Sequence, residues 1–93
     1  MDLEAIRANI DRVDEELVAL LEQRMDLVSQ VATFKKESGK TVLDNQREAL
    51  VLEKVANHVK NADYQETIRA TFADIMAQSR QYQKQKLNRH EEN

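Results

Sequence analysis

A seam of residues spaced alternately three and four apart runs through the first third of the chain: Leu3, Ile6, Ile10, Val13, Leu17, Leu20, Arg24, Leu27, Val31 and Phe34. That spacing is the repeat of a long helix packed lengthwise on a partner. Arg24 is the one polar member. The 93 residues contain no proline, and Gly39 is the single glycine, so nothing interrupts the pattern before Ser38 and Gly39. There Gly39 can adopt the left-handed conformation that closes a helix. At 1.5 Å per residue a helix over about 3–37 is roughly 50 Å long. A compact monomer of this size is only about 32 Å across. The helix overshoots any globule its own chain can build, and a second copy is the simplest cover for its seam. The expected fold class is all-α: three helices per protomer, one long and two shorter, in an intertwined helical homodimer.

The scarcity of turn residues argues against sheets, which need them every few positions. With 41% apolar and 33% charged residues, the chain is too apolar for plain disorder. A second helix is expected over about 45–60, with Asn45 and Glu48 at capping-box spacing and a stripe of Val51, Leu52, Val55 and Val59. A third is expected over about 63–87, with Asp63 and Glu66 at the same spacing. Its stripe is Tyr64, Ile68, Phe72, Ile75 and Met76. The pattern has no internal repeat or linker and reads as one helical domain over 1–93.

Several function classes fall away on composition. There is no cysteine, and His58 and His90 stand in no metal-binding motif, so neither metal nor cofactor is expected. A net charge of −3 and a pI near 5.4 disfavour nucleic acid as partner. The locally basic stretch from Arg80 to Arg89 reads as a solvated helix end, and the tail 85–93 carries no pattern. The longest apolar run, Leu17 to Leu21, is far short of the ~20 residues that span a membrane. The opening residues carry Asp2 and Glu4 and do not form a secretory signal. A cytoplasmic protein is expected.

What remains is a set of polar residues on faces that want apolar ones. Arg24 interrupts the seam; it either fixes register, as polar seam residues do in coiled coils, or meets an anion. Lys35 lies three turns further along the same face, roughly 16 Å away along the axis. Arg47 and Glu48 open the second helix. Ser79 and Gln83 continue the apolar face of the third. Taken singly, Arg47 and Glu48 fit a solvated first turn, and Ser79 and Gln83 fit a fraying end. Together they describe a pocket for a small polyanion bearing a hydroxyl. Nothing in the set is an obvious nucleophile or a general acid–base pair. Arg7 is about 25 Å from Arg24 on the same helix, so one small ligand reaches both only if Arg7 comes from a second chain; otherwise Arg7 is an exposed arginine beside the seam.

Read in order, Ile6-Arg7-x-x-Ile10-Asp11-x-x-Asp14, Leu20-Leu21-x-x-Arg24, Lys35, Val42-x-Asp44-x-x-Arg47-Glu48 and Ser79-x-x-x-Gln83 resemble the all-helical (AroQ-type) chorismate mutase family, and a small monofunctional member of it. The resemblance implies an intertwined homodimer with two equivalent sites and the Claisen rearrangement of chorismate to prephenate, without a cofactor. It implies that Arg24 and Arg7 of the partner subunit grip the substrate carboxylates, with Arg47 in support and Ser79 touching a carboxylate. Lys35 and Gln83 would hydrogen-bond the ether oxygen, and Glu48 the ring hydroxyl, helped by the backbone near Asp44. Val31 and Met76 would supply apolar wall. Because Gln83 is neutral, activity should not require acidic pH. Thr41 stands where many relatives have proline, which implies a more mobile loop over 37–43. The competing expectations are the related isochorismate-pyruvate lyase and a helical dimerisation module in which Arg24 only sets register.

Overall fold

The structure, a computed structural model, describes residues 2–91, with side chains through Asn88. The expected domain 1–93 therefore extends beyond the described residues at Met1, Glu92 and Asn93. Three helices follow in order: α1 over Leu3–Ser38, α2 over Asn45–His58 and α3 over Gln65–Glu91, with a 3₁₀ turn at Ala62–Tyr64 leading into α3. No strand occurs among the described residues, and no helix is long and apolar enough to cross a membrane.

Local chemistry sets the ends. Asp2 accepts the Glu4 backbone N–H at 3.0 Å and caps α1. At its other end Gly39, at φ 74°, donates its N–H to the Lys35 carbonyl, which also receives Lys40 N–H at 3.0 Å. Both bonds satisfy one carbonyl that the last turn would otherwise leave orphaned. The cap of α2 is Asp44, one residue earlier than the expected Asn45. Its carboxylate accepts Arg47 N–H at 3.0 Å, and that acceptor satisfies the third N–H of the helix. Val59, the C-cap, is extended, so α2 ends two residues before the expected boundary at 60. Asn61, rather than Asp63, is the next cap, accepting Asp63 N–H at 3.0 Å. Asp63 is taken up in the 3₁₀ turn, so the third helix starts at Gln65, and it runs on to Glu91 rather than 87.

α3 packs against both α1 and α2, while α1 and α2 do not pack directly on each other among the described residues. Polar clasps fix these contacts. Lys86 Nζ donates to the Ser29 carbonyl at 3.1 Å and to its hydroxyl, tying α3 to α1. Gln65 Nε2 donates to the Ala56 carbonyl at 3.0 Å, tying the start of α3 to the end of α2. Thr41 Oγ1 donates to the Leu43 carbonyl at 3.0 Å within the α1–α2 loop.

The protomer is long and thin, 55 × 28 × 15 Å, with a radius of gyration of 16.5 Å. A compact chain of this length would have about 12 Å. Ala32 and Met76 are the buried apolar side chains among the described residues, whereas every apolar member of the α1 seam is exposed. From residue 3 to residue 20 every residue of α1 is exposed. Burying a large aliphatic side chain is worth about 1.5–3 kcal/mol, so the exposed seam is a large apolar stabilisation that the chain by itself does not realise.

A Cβ built on Gly39 would meet nothing within 4 Å, so a substitution there acts through backbone strain alone. Gly39→Ala should destabilise the protein by about 1 kcal/mol, and Gly39→Asn by less, because asparagine tolerates the left-handed region. Urea unfolding at fixed protomer concentration measures this; equal stability of Gly39→Ala and wild type would show that the α1 cap contributes nothing.

Candidate active site

The second half of α1, the first turn of α2 and the middle of α3 enclose a cleft of about 280 Å³. That is near the lower end for small-molecule sites, about 300–1,000 Å³. Its apolar wall comes from Leu27, Val28 and Val31 of α1, Val51 of α2 and Met76 of α3, with Val42 from the loop. Its polar groups come from all three helices. α1 contributes Arg24 and Lys35. The start of α2 contributes Asp44, Arg47 and Glu48. α3 contributes Ser79, Arg80 and Gln83. Seven of the eight residues singled out from sequence thus line one cleft within a single protomer.

Most of these groups are held. Arg24 Nη1 donates to Ser79 Oγ at 2.6 Å, and that hydroxyl donates in turn to the Ile75 carbonyl at 2.9 Å. The Ser79 proton is therefore committed, and the hydroxyl presents an acceptor to the guanidinium. Lys35 Nζ donates to the Val42 carbonyl at 2.6 Å, which draws the loop over the end of α1. Asp44 is occupied as the cap of α2. Glu48 Oε1 pairs with Arg80 Nη1, joining α2 to α3.

Ser79 and Gln83 are both buried, which removes the reading of a fraying helix end. Gln83 is 6% exposed, yet its Oε1 finds no hydrogen-bond partner among the described residues. A buried, unpaired carbonyl destabilises by about 1–3 kcal/mol, so α3 carries this group into the cleft at a loss.

Arg80 is the residue that sequence reasoning missed, having been assigned with the basic stretch to a solvated end. It lies one helical turn beyond Met76 and beside Ser79, and the first of these spacings is the available signal. Lys86, from the same stretch, is likewise packed, against Ser29. Arg7 lies elsewhere. It sits on the uncovered half of α1, its side chain 63% exposed, in an i, i+3 pair with Glu4 at 3.4 Å. Nothing in its own protomer brings it to the cleft.

Arg24, Lys35, Arg47 and Arg80 against Asp44 and Glu48 give the cleft a formal charge of 4 − 2 = +2, opposite in sign to the −3 of the whole chain. The two carboxylates are engaged, one in a cap and one in an ion pair. Arg24, Lys35 and Arg47 face no acid in an ion pair among the described residues. The arrangement can hold a small anion through several donors at once and accept a hydrogen bond at Glu48. It offers no base beside a nucleophile.

Three helices with a cleft of net positive charge between them define a small all-helical domain. The chain belongs to the type II chorismate mutase family, a family of isomerases, whose pattern it matches over residues 6–84. It is also similar to the bifunctional chorismate mutase/prephenate dehydratase of Buchnera aphidicola subsp. Schizaphis graminum (strain Sg), with 34% identity over 92 residues. That match covers 95% of this chain and 23% of the relative, so the chain spans about a quarter of the relative's length.

The orphaned Gln83 carbonyl predicts a trade between stability and function. Gln83→Met, which keeps the length of the side chain and removes its polar atoms, should stabilise the ligand-free protein by about 1 kcal/mol. Urea unfolding reads this directly, and a loss of stability would show that Gln83 is satisfied in solution.

Proposed function

We propose that the chain acts as a cytoplasmic chorismate mutase, rearranging chorismate to prephenate in an intertwined homodimer with two equivalent clefts. The observation that carries this reading is the gathering of seven sequence-separated polar residues in one cleft of net positive charge, in a chain of the chorismate mutase family. The chemistry suits that inventory. Chorismate is a dianion with one free hydroxyl. Its rearrangement breaks the ether C–O bond and forms a C–C bond between the enol-pyruvyl methylene and the ring in one concerted shift. No proton, nucleophile or oxidant is consumed.

The task of the protein is then positioning and electrostatics. Arg24, braced by Ser79, grips one carboxylate, and Arg47 adds to the anion field. Arg7 of the partner subunit completes the clamp. Holding both carboxylates selects the rare conformer in which the side chain lies over the ring. As the C–O bond breaks, negative charge gathers on the ether oxygen. Lys35 and Gln83 are assigned to that atom. Lys35 exchanges its bond to the Val42 carbonyl for the oxygen, and Gln83 donates through its amide nitrogen. Groups already aimed at developing charge stabilise the transition state more than the ground state. A ~10⁶-fold acceleration asks for about 8 kcal/mol from clamp and ether contacts together. Glu48, beside the Asp44 cap, accepts the ring hydroxyl.

The homodimer follows from the same physics. The uncovered half of α1 carries Leu3, Ile6, Ile10, Val13 and Leu17, all exposed in the protomer. Helices in proteins draw most of their stability from packing an apolar face, and an antiparallel second α1 would cover this seam and bring Arg7 toward the opposite Arg24.

Purified protein should consume chorismate with prephenate as product. Formation of salicylate and pyruvate from isochorismate instead would point to the lyase. Lys35→Ala should lose about 10²–10³-fold in turnover while remaining folded; near-normal turnover would remove Lys35 from the ether oxygen. Mixing inactive Arg7→Ala and Arg24→Ala chains should restore activity, because each heterodimer then contains one cleft with both arginines. No recovery despite verified subunit exchange would place Arg7 outside the second chain's site.

A further inference from the structure

Ser79 and Arg80 are neighbours on α3, so their side chains leave the helix about 100° apart. Because α3 lies between the other two helices, that divergence carries them to opposite walls of the cleft. Ser79 receives Arg24 of α1 at 2.6 Å, and Arg80 pairs with Glu48 of α2. Both members of the second pair are mostly covered, the Arg80 side chain 29% exposed and that of Glu48 24%. Glu48 is the one carboxylate in the cleft not committed to a helix cap, and three cations share the cleft with it besides Arg80. It pairs with none of them among the described residues.

We propose that Arg80 is a positioning residue for the rearrangement, holding the Glu48 carboxylate through Oε1 so that Oε2 faces the substrate hydroxyl and Glu48 is kept away from the carboxylate-binding cations. This inference rests on the mutase reading and extends it to a residue outside the pattern of the resemblance. A glutamate has three rotatable side-chain bonds. Released from α3, Glu48 would turn toward Arg24, Lys35 or Arg47 and compete with the carboxylates of the substrate. Two effects follow from that one release. The hydroxyl loses an aligned acceptor, and the net charge of the cleft falls from +2 to +1 when Arg80 is removed from the lining set. Arg80 also keeps four further N–H donors beyond the one on Glu48, so its charge still contributes to the field over the cleft.

The test is a double-mutant cycle on chorismate turnover with wild type, Arg80→Leu, Glu48→Gln and the double variant. Arg80→Lys, which keeps the charge, serves as the conservative variant. Arg80→Leu should lower kcat/KM about tenfold to a hundredfold, the scale expected when a positioned group loses its alignment, with KM rising and kcat falling. Arg80→Lys should recover most of the loss. In the Glu48→Gln background, Arg80→Leu should cost less than about threefold more, because the group it positions is already gone. A merely structural Arg80 would give equal losses in both backgrounds, and that result, or unchanged kinetics in Arg80→Leu, overturns the proposal. If Arg80→Leu does not fold, Arg80→Gln carries the same cycle with the same criteria. Wild-type conversion of chorismate is measured first. Its absence overturns the mutase reading and this role with it, whereas conversion with an additive cycle overturns the role alone.

Discussion

Everything in this protein hangs on a helix too long for its own chain to cover. α1 runs 36 residues, and its second half is met by α3, while the first half is exposed on all sides. Helical propensity alone does not hold such a segment in water, where stability comes from packing an apolar face. The seam supplies that face, and no described residue of the same chain buries its first half. The same geometry decides where the site can lie. It lies where α1 stops being uncovered and starts being packed by its own chain. Arg24 stands at that transition, with Leu20 exposed before it and the half-covered Val28 after it.

A cation on a packing face is tolerated when it finds partners that satisfy it. Arg24 finds the Ser79 hydroxyl, a neutral acceptor. Its charge is thereby placed without being neutralised. Lys35 repeats the device with a backbone carbonyl. Acids at either position would have made the cleft more stable and less able to attract an anion. The carboxylates that are present are spoken for, Asp44 by the α2 backbone and Glu48 by Arg80. The cleft therefore keeps a positive field in a protein whose overall charge is negative, and a dianion is favoured over the neutral or cationic molecules around it.

Much of this was legible in the sequence, and the reasons are periodic ones. The three- and four-residue spacing gave three helices without reference to any structure, and the polar residues breaking those stripes are the ones that meet in the cleft. What the pattern could not place were features set by competition between neighbours. Asp44 and Asn45 are both good caps, and the choice turns on which side chain reaches the third N–H of the helix. Asn61 and Asp63 compete in the same way, and there a 3₁₀ turn absorbs the loser. Arg80 was hidden for a different reason. A one-stripe view of α3 assigns Ser79 to the inner face and its neighbour to solvent. A helix packed on two sides has two inner faces, and only the arrangement of α1 and α2 about α3 shows that both residues are used.

Gln83 shows what a site of this kind demands of its scaffold. Its carbonyl is buried and unpaired, in a protomer with very little apolar core to offset the loss. A scaffold selected for stability alone would replace it with methionine or leucine. Retaining an amide there is intelligible if its nitrogen donates to an acceptor that enters the cleft, since a ligand held only by the folded chain stabilises it and offsets the loss at the carbonyl. The same holds for Lys35, whose bond to the Val42 carbonyl occupies the ammonium while leaving it able to exchange that carbonyl for a stronger acceptor. The ammonium's bond to an oxygen gaining negative charge is stronger than its bond to a neutral carbonyl. On the proposed reading the ammonium leaves an amide carbonyl for a weaker ether acceptor in the ground state and gains as the C–O bond breaks and charge gathers on that oxygen, which is the sense in which polar groups without a nucleophile among them can accelerate a reaction.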